Sequence, residues 1–251
     1  MKKLFTLILV SAAMLNSCKK PAPTTPEFTN VSTERKSLMF DFTGLQCGIC
    51  AGMLPSWNAM LSDHQYNAIG LSVHCGVQDS LDNNFTLWMS SYFNVTGTPS
   101  WAEGANMTLA SYDNMKSSME TTVKQKADLG IGVVRSLSGT TMTIKTHAVL
   151  FNDMSGDYNI AVYVIENGVR AVQISTVMTH NDVLRGGANG MFGTSLFSGS
   201  QSKGQTFDQT FTYNIGTQGT DYVNAANLRA VVVVYRMNGT DPKEVINCNE
   251  N

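Results

Sequence analysis

The stretch SLMFDFTGLQCGIC, residues 37–50, joins an apolar, strand-like run to a pair of cysteines. The run Ser37–Thr43 comes first, and Cys47 and Cys50 follow it with two residues between them. Two cysteines at this spacing can close a short, reactive disulfide or supply half of a metal site. The residues around the pair indicate which of these two uses applies.

The N-terminus indicates export from the cytoplasm. Two lysines precede the apolar run Leu4–Leu15, which is too short to cross a bilayer as a helix and is typical of a secretory signal. The run ends in Leu15-Asn16-Ser17-Cys18, which resembles the lipobox of bacterial lipoproteins. That resemblance implies cleavage before Cys18 and lipidation of its sulfur, which would anchor the protein to a membrane. We therefore expect a signal peptide at 1–17 and a tether at 18–36, an ordinary signal peptide cut nearby being the alternative.

Composition excludes one class of partner and limits the cysteine pairing. The chain has 17 lysines and arginines and a net charge of −2, so no basic face for nucleic acid is expected. Without Cys18, four cysteines remain, and they allow three fully paired connectivities in an oxidising compartment. Cys47 and Cys50 are the expected disulfide, because they are neighbours on one helical turn. The pairing of Cys75 and Cys248 stays open, and no metal or cofactor is predicted.

Residues 37–127 alternate between strand and helix patterns. Apolar residues at helical spacing predict helices over 50–62 and 79–93 and a last helix that starts at Ser111 or Asp113. Short apolar runs predict strands at Ser37–Thr43, Ala68–Val73, near Pro99 and at Met107–Leu109. Alternating strands and helices predict an α/β domain over 37–127.

Residues 128–251 have a different pattern. Runs rich in β-branched and alternating residues recur between turns of Gly, Asn, Asp and Ser, and Val231–Val234 is typical of a strand that is buried on both faces. The stretch Gly186–Ser202 is rich in Gly and Ser and is interpreted as a loop. About seven such runs predict an all-β, immunoglobulin-like sandwich over 128–251.

The cysteine motif and its surroundings resemble the thioredoxin family. Asp41-Phe42 ends a strand before the motif, Pro55 lies five residues after Cys50, and Val95-Thr96-Gly97-Thr98-Pro99 comes later in the chain. The resemblance covers about residues 37–126. The predicted fold class is therefore an α/β thioredoxin-like domain followed by an all-β immunoglobulin-like sandwich.

The resemblance also implies roles for five residues. Cys47, at a helix N-terminus that favours its thiolate, would attack a substrate, and Cys50 would resolve the mixed disulfide. Asp41 would accept a proton from Cys50. Thr98 and a cis Pro99 would bind an extended substrate peptide. Gln46 and Ile49 depart from the family pattern, which usually has Trp before the motif and Pro or His within it, and this leaves catalytic strength open.

A second resemblance spans most of the chain. The lipoprotein signal, the cysteine motif and the run His180-Asn181-Asp182-Val183-Leu184-Arg185-Gly186 resemble a family of twenty-eight-kilodalton outer membrane proteins of Gram-negative bacteria. The family implies a location at the outer membrane, facing the periplasm or the surface. His180 and Arg185 could bind an anion or a partner, or could pin a loop across the edge of the sandwich.

Two functions from different classes follow. The first is thiol–disulfide exchange by an envelope lipoprotein, with thiols and disulfides of envelope proteins as partners. The second is a non-catalytic outer-membrane lipoprotein or interaction module, in which the Cys47–Cys50 disulfide is structural. The sandwich could also deliver clients to the cysteines. A zinc site formed with His74 and Cys75, which follow the second predicted strand, is a further alternative.

Overall fold

The computed structural model describes residues 28, 31–63, 66–216 and 224–251. In these ranges it has helices α1 (Gly48–Ser62), α2 (Asn84–Tyr92) and α3 (Tyr112–Thr122) and a 3₁₀ helix, Ala225–Asn227. The strands are β1 (Ser37–Thr43), β2 (Ala68–His74), β3 (Ser100–Glu103), β4 (Thr108–Ala110), β5 (Leu129–Ser138), β6 (Thr141–Leu150), β7 (Met154–Glu166), β8 (Val169–Gln173), β9 (Thr176–His180), β10 (Val183–Gly187), β11 (Thr194–Gln201), β12 (Thr206–Asn214), β13 (Leu228–Asn238) and β14 (Asp241–Glu250). The predicted signal peptide and Cys18 lie outside the described residues.

Residues 31–63 and 66–127 form a β–α–β arrangement with two antiparallel strands added. β1 and β2 are parallel, with Phe40 opposite Leu71, and helix α1 connects them. β3 runs antiparallel to β1 on its other side and places Trp101 opposite Asp41. Strand β4 pairs with β3 and completes this edge.

In the part of the chain that the structure describes, one mixed sheet has nine strands. Its order is β14-β13-β7-β10-β2-β1-β3-β4, and β11 also pairs with β7. The join between the two halves is at Val183 of β10, which pairs in parallel with Ser72 of β2. The described residues also form two smaller sheets, β12-β6-β5 and the β8–β9 hairpin.

The core lies on both faces of the nine-stranded sheet. On one face, Phe85 of α2 packs in the same cluster as Phe40 and Tyr163, which come from opposite halves of the sheet. On the other face, the three-stranded sheet covers β7 and β13, where Ile144 and Val162 share a cluster. Helices α1 and α3 cover β1 on that same face, and they bury the side chains Met39, Trp57, Met60, Met115 and Met119. The prediction of a central strand at Val231–Val234 is confirmed, since all four residues are fully buried.

The helix starts follow from capping. Asn83 accepts hydrogen bonds from the backbone N–H groups of Phe85 and Thr86, and the Thr86 hydroxyl accepts one from the Asn83 N–H in return. This capping box fixes the start of α2 at Asn84 rather than at the predicted residue 79. Of the two candidates that the sequence offered, Ser111 and Asp113, it is Ser111 that caps α3.

The predicted fold class is wrong. The structure is mainly β-sheet, with 51% strand and 18% helix, and an α/β thioredoxin-like domain is not evident in the described residues. The physical reason is that β2 finds a partner, β10, in the second half of the chain, so that β1–β4 become one side of a mixed sheet and the whole is mainly a β-sandwich. The proposed boundary between residues 127 and 128 remains a prediction. Among the described residues, every helix is too short or too polar to cross a membrane.

Candidate functional site

Cys47 and Cys50 form a disulfide at the start of α1. Cys47 is the N-cap residue, and its sulfur accepts a hydrogen bond from the backbone N–H of Cys50 at 3.0 Å. The two sulfurs differ in environment, because Cys47 is half-buried whereas Cys50 is only 5% exposed. An attacking thiol can therefore approach Cys47, while Cys50 is shielded beneath it.

The loop that carries Cys47 forms a tight turn from Gly44 to Cys47. The Cys47 N–H donates to the Gly44 carbonyl oxygen at 3.1 Å. A Cβ atom on Gly44 would lie 2.9 Å from the Cα of Gly76, so these two loops approach each other only because both positions are glycine. The loop between β1 and α1 thus lies directly against the loop that follows β2.

The β8–β9 hairpin clamps this loop from outside. The Gln173 side-chain Nε2 donates to the carbonyl oxygens of Gly44 at 2.9 Å and Cys47 at 3.0 Å. The next backbone N–H, of Ile174, donates to the Leu45 carbonyl oxygen at 2.8 Å. Gln173 is buried, and sequence reasoning missed it because no local pattern relates it to a residue 126 positions away.

Thr98 and Pro99 lie next to the disulfide. The Cys47 Sγ is 3.4 Å from the Thr98 carbonyl oxygen, and the Thr98–Pro99 peptide bond is cis. Thr98 and Cys47 line the same open depression of about 340 Å³, together with Ile49 and Val77. The structure therefore brings both predicted substrate-binding residues to the predicted attacking sulfur.

Asp41 lies within the sheet beneath α1. Side chains alternate along β1, so Asp41 points to the same face as Met39, which packs against Trp57 of α1. Burial raises the pKa of Asp41 to about 7, and a hydrogen bond to the side chain of Trp101 lowers it in part. A carboxyl group with this pKa can both hold and release a proton near neutral pH.

A buried polar cluster supports the cysteine loop from below. The Asp79 carboxylate contacts His74 Nδ1 at 2.8 Å and accepts hydrogen bonds from the backbone N–H groups of Leu45 and Leu81. The His74 and His180 rings meet edge to face, with centroids 5.3 Å apart. Burial lowers the pKa of His180 to about 4, so its ring is neutral at pH 7. Sequence reasoning named both histidines but missed Asp79.

The other two cysteines of the described residues are not part of the disulfide. Cys75 and Cys248 are free thiols, and they do not pair with each other. Burial raises the pKa of Cys75 to about 12 and raises that of Cys248 as well. No group of three or more His, Cys, Asp or Glu side chains in the described part of the chain is arranged to hold a metal ion.

The run His180–Gly186 makes contacts that join separate elements of the fold. The Asp182 carboxylate pairs with Arg229 at 2.9 Å, and burial raises its pKa to about 6. Arg185 forms a buried ion pair with Glu166 at 2.8 Å, and both side chains are at most 5% exposed. Of the alternatives for this run, the pinning role is the one that these contacts support.

Comparison with known proteins identifies the family. A family model described as Outer membrane protein Omp28 matches residues 88–251, which excludes the cysteine motif. No curated protein matched the chain. One similar solved structure is a domain of the outer membrane lipoprotein Omp28 from Porphyromonas gingivalis, with 19% identity, 49% of this chain and 86% of that chain covered, and a TM-score of 0.36.

A second similar structure is a β-glucosidase from Kluyveromyces marxianus in complex with glucose. The match has 9% identity and a TM-score of 0.27, and it covers 50% of this chain and 14% of the β-glucosidase chain. With TM-scores below 0.5, neither likeness indicates a fold or an activity for this chain.

The family match covers well over half of the chain, and it confirms the predicted location at the outer membrane of the bacterial envelope. The chain belongs to the Omp28 family of outer membrane proteins.

Proposed function

We propose that this outer membrane protein carries out thiol–disulfide exchange with envelope proteins through Cys47 and Cys50. The observation that carries the proposal is the difference in exposure between the two cysteine residues. Cys47 is half-buried at a helix N-terminus, and Cys50 is buried one turn inside the helix. Exchange requires one sulfur that a partner can reach and a second that closes the ring behind it.

The chemistry in the oxidising direction has two steps. A client thiolate attacks the Cys47 sulfur, the Cys47–Cys50 bond breaks, and Cys50 leaves as a thiolate that takes up a proton. A second client thiolate then attacks the client sulfur of the mixed disulfide, which forms the client disulfide and releases Cys47 as a thiolate. Two client thiols are oxidised and one protein disulfide is reduced; the reducing direction is the reverse.

Three features of the described residues support these steps. The backbone N–H of Cys50 and the positive end of α1 stabilise a thiolate on Cys47. Asp41, with a pKa of about 7 and a position on the face of β1 that α1 covers, is the proton donor and acceptor proposed for Cys50. The Thr98 carbonyl oxygen, 3.4 Å from the Cys47 sulfur, is an acceptor for the backbone of a bound client.

The test is exchange by the full chain in both directions. We expect the protein to catalyse insulin reduction or to oxidise a small dithiol, with Cys47→Ser and Cys50→Ser inactive and Cys75→Ser as the matched control. The reduced Cys47 thiol should also titrate below the ordinary value of about 8.5. No turnover in either direction, together with an ordinary thiol pKa, would rule the proposal out.

The second candidate is a non-catalytic outer membrane protein in which the disulfide braces the start of α1. The clamp on the cysteine loop by Gln173 and Asp79 favours it, since a rigidly held loop also suits a structural disulfide. The comparisons favour it too, because they indicate an outer membrane family and carry no sign of exchange. In this case, Cys47→Ser would lower the free energy of unfolding without the loss of any catalytic rate.

Lipid attachment at Cys18 is part of either proposal, and mass spectrometry of the protein from its host tests it.

A further inference from the structure

The β8–β9 hairpin, Val169–His180, lies beside the cysteine loop and has no part in the exchange steps proposed above. It is a sheet of two strands, with Val172 directly opposite Val177. Gln173 and Ile174 fix its turn to the loop of Cys47. The hairpin is therefore held at a defined position next to the reactive sulfur.

The hairpin exposes apolar side chains where a surface turn ordinarily has polar ones. Val172 is 51% exposed, Ile174 47% and Val177 53%. Ile174 also has a backbone φ of +58°, a conformation that Asn or Gly adopts at low cost and a β-branched residue does not. Stability alone does not account for an exposed, strained isoleucine at this position.

Apolar side chains continue on the other side of the sulfur. Ile49, inside the cysteine motif, is 70% exposed, and Val77 is 85% exposed. Both line the depression that contains Cys47, and none of the residues that line it is charged. An occupant that brings a cysteine to this sulfur therefore meets an uncharged, partly apolar surface.

A second depression continues the first along β8. It has a volume of about 870 Å³, and its lining includes the apolar residues Leu45, Leu81, Val169 and Val172 and the charged residues Asp82, Glu166, Arg170 and Arg185. Gln46 lines both depressions, so they adjoin at its side chain. Among the described strands, β8 pairs only with β9, which leaves its other edge open to a further strand.

We propose that the hairpin and the two depressions form a docking surface for an extended, apolar segment of an unfolded client protein around its cysteine. The proposal rests on the proposed exchange function. An open strand edge binds an extended backbone by hydrogen bonds, and alternate side chains of that backbone fill apolar positions. The client cysteine then lies over Cys47, and the segment on one side of it follows β8.

The direct test is binding without chemistry. The probe is fluorescein-labelled insulin B chain with both cysteines alkylated, and fluorescence anisotropy follows its binding to the oxidised full chain. We expect saturable binding that Val172→Thr, Ile174→Asn and Val177→Thr together weaken by about tenfold, a loss of the order expected for three apolar contacts. Val134→Thr with Leu137→Thr, two exposed apolar residues on β5, is the matched control and should leave binding unchanged.

Three results would overturn the proposal: no saturable binding, an equal loss in the control variant, or self-association of the protein that the triple variant abolishes while the probe stays unbound. The last result would assign the surface to a second copy of this chain. If the triple variant does not fold, Ile174→Asn alone serves, because Asn suits the backbone at that position. It should weaken binding by about threefold.

An exchange assay separates this proposal from the function on which it rests. We expect the triple variant to oxidise dithiothreitol at the wild-type rate and reduced insulin chains about tenfold more slowly. Equal rates on both substrates would contradict a docking surface. A wild-type protein that oxidises neither substrate, does not reduce insulin and has an ordinary Cys47 thiol pKa would end the exchange proposal, while the anisotropy measurement would still decide whether the surface binds unfolded chains.

Discussion

The backbone N–H of Ser72 donates a hydrogen bond to the carbonyl oxygen of Asp182 at 2.8 Å. Ser72 lies on β2, the strand that follows the cysteine motif and α1 in the chain. Asp182 belongs to the run His180–Gly186. The contact begins the parallel pairing of β2 with β10. It explains why the two halves of the chain share one sheet, and it gives the run a structural role as the junction between them.

The buried ion pair at this junction should be essential for stability. Arg185 and Glu166 are at most 5% exposed, so Arg185→Ala leaves a buried carboxylate without its partner. We expect the free energy of unfolding to fall by about 3–5 kcal/mol, measured by chemical denaturation. Arg236→Ala is the matched control: its pair with Glu244 is partly exposed, and its loss should cost about 1 kcal/mol or less. Similar costs for the two variants would contradict this role.

Asp41 should make the protein less stable as the pH rises. Its pKa is raised by burial from 3.8 to about 7, so the folded protein keeps a proton that the unfolded chain releases between these values. The free energy of unfolding therefore falls through that interval. Asp41→Asn removes this effect and should be more stable than wild type at about pH 8, by roughly 1–3 kcal/mol, with no gain at about pH 4. Denaturation at the two pH values measures it, and a variant that is destabilised at both contradicts the account.

His180 should make the protein less stable as the pH falls. Its pKa is lowered by burial from 6.5 to about 4, so the unfolded chain binds a proton that the folded protein does not. Its contribution to stability is lost as the pH falls from 6.5 towards 4. In His180→Leu, the drop in stability between about pH 7 and pH 5 should be smaller by roughly 1–2 kcal/mol. An unchanged drop would show that the pKa of His180 is the same in the folded protein and in the unfolded chain, and would contradict this account.

Thiol labelling should distinguish the cysteines. After mild reduction of the folded protein at about pH 7.5, we expect iodoacetamide to label Cys47 first. Burial raises the pKa of Cys75 to about 12 and also raises that of Cys248, so both should stay unlabelled until the protein unfolds. Peptide mass spectrometry reads out each site. Rapid labelling of Cys75 in the folded protein would show that its thiol is accessible and ionised.

The clamp on the cysteine loop can be removed with one substitution. Gln173→Leu leaves the carbonyl oxygens of Gly44 and Cys47 without their side-chain donor, and we expect a loss of about 1–3 kcal/mol. Gln209→Leu, which removes a similar amide contact on the exposed strand β12, should cost much less. Amide hydrogen exchange should show faster opening of the residues around Cys47 only in the first variant, and equal protection in both would contradict the clamp.

Local pattern predicted the strands and helices near the motif well. β1 has the bounds that the sequence indicated, and α1 and β2 differ from it by one or two residues, because each buries a continuous or periodic apolar face. The interpretation of Gly186–Ser202 as a loop is wrong, since it contains the end of β10 and all of β11. β11 is mostly exposed and, apart from the buried Leu196 and Phe197, consists of polar residues and glycine, so its strand is set by pairing with β7 rather than by an apolar pattern of its own.

The candidate site could be predicted only in part, because some of its contacts join residues that are far apart in the sequence. Cys47 and Cys50 form a local motif, and Thr98 and Pro99 stand in a recognisable order after it. Gln173 and Asp79 carry no such signal, because their roles depend on backbone groups that only the folded chain brings to them. The fold class was wrong because the pairing of β2 with β10 is likewise long-range.

Catalysis by the Cys47–Cys50 pair is the central claim, and the rate at which the oxidised protein converts dithiothreitol and reduced insulin chains to disulfides tests it most directly, with the reverse reaction followed by insulin reduction. The account predicts turnover in at least one direction that Cys47→Ser abolishes and Cys75→Ser leaves at the wild-type rate. No turnover in either direction, or equal rates for Cys47→Ser and wild type, would contradict it and leave the disulfide a structural brace.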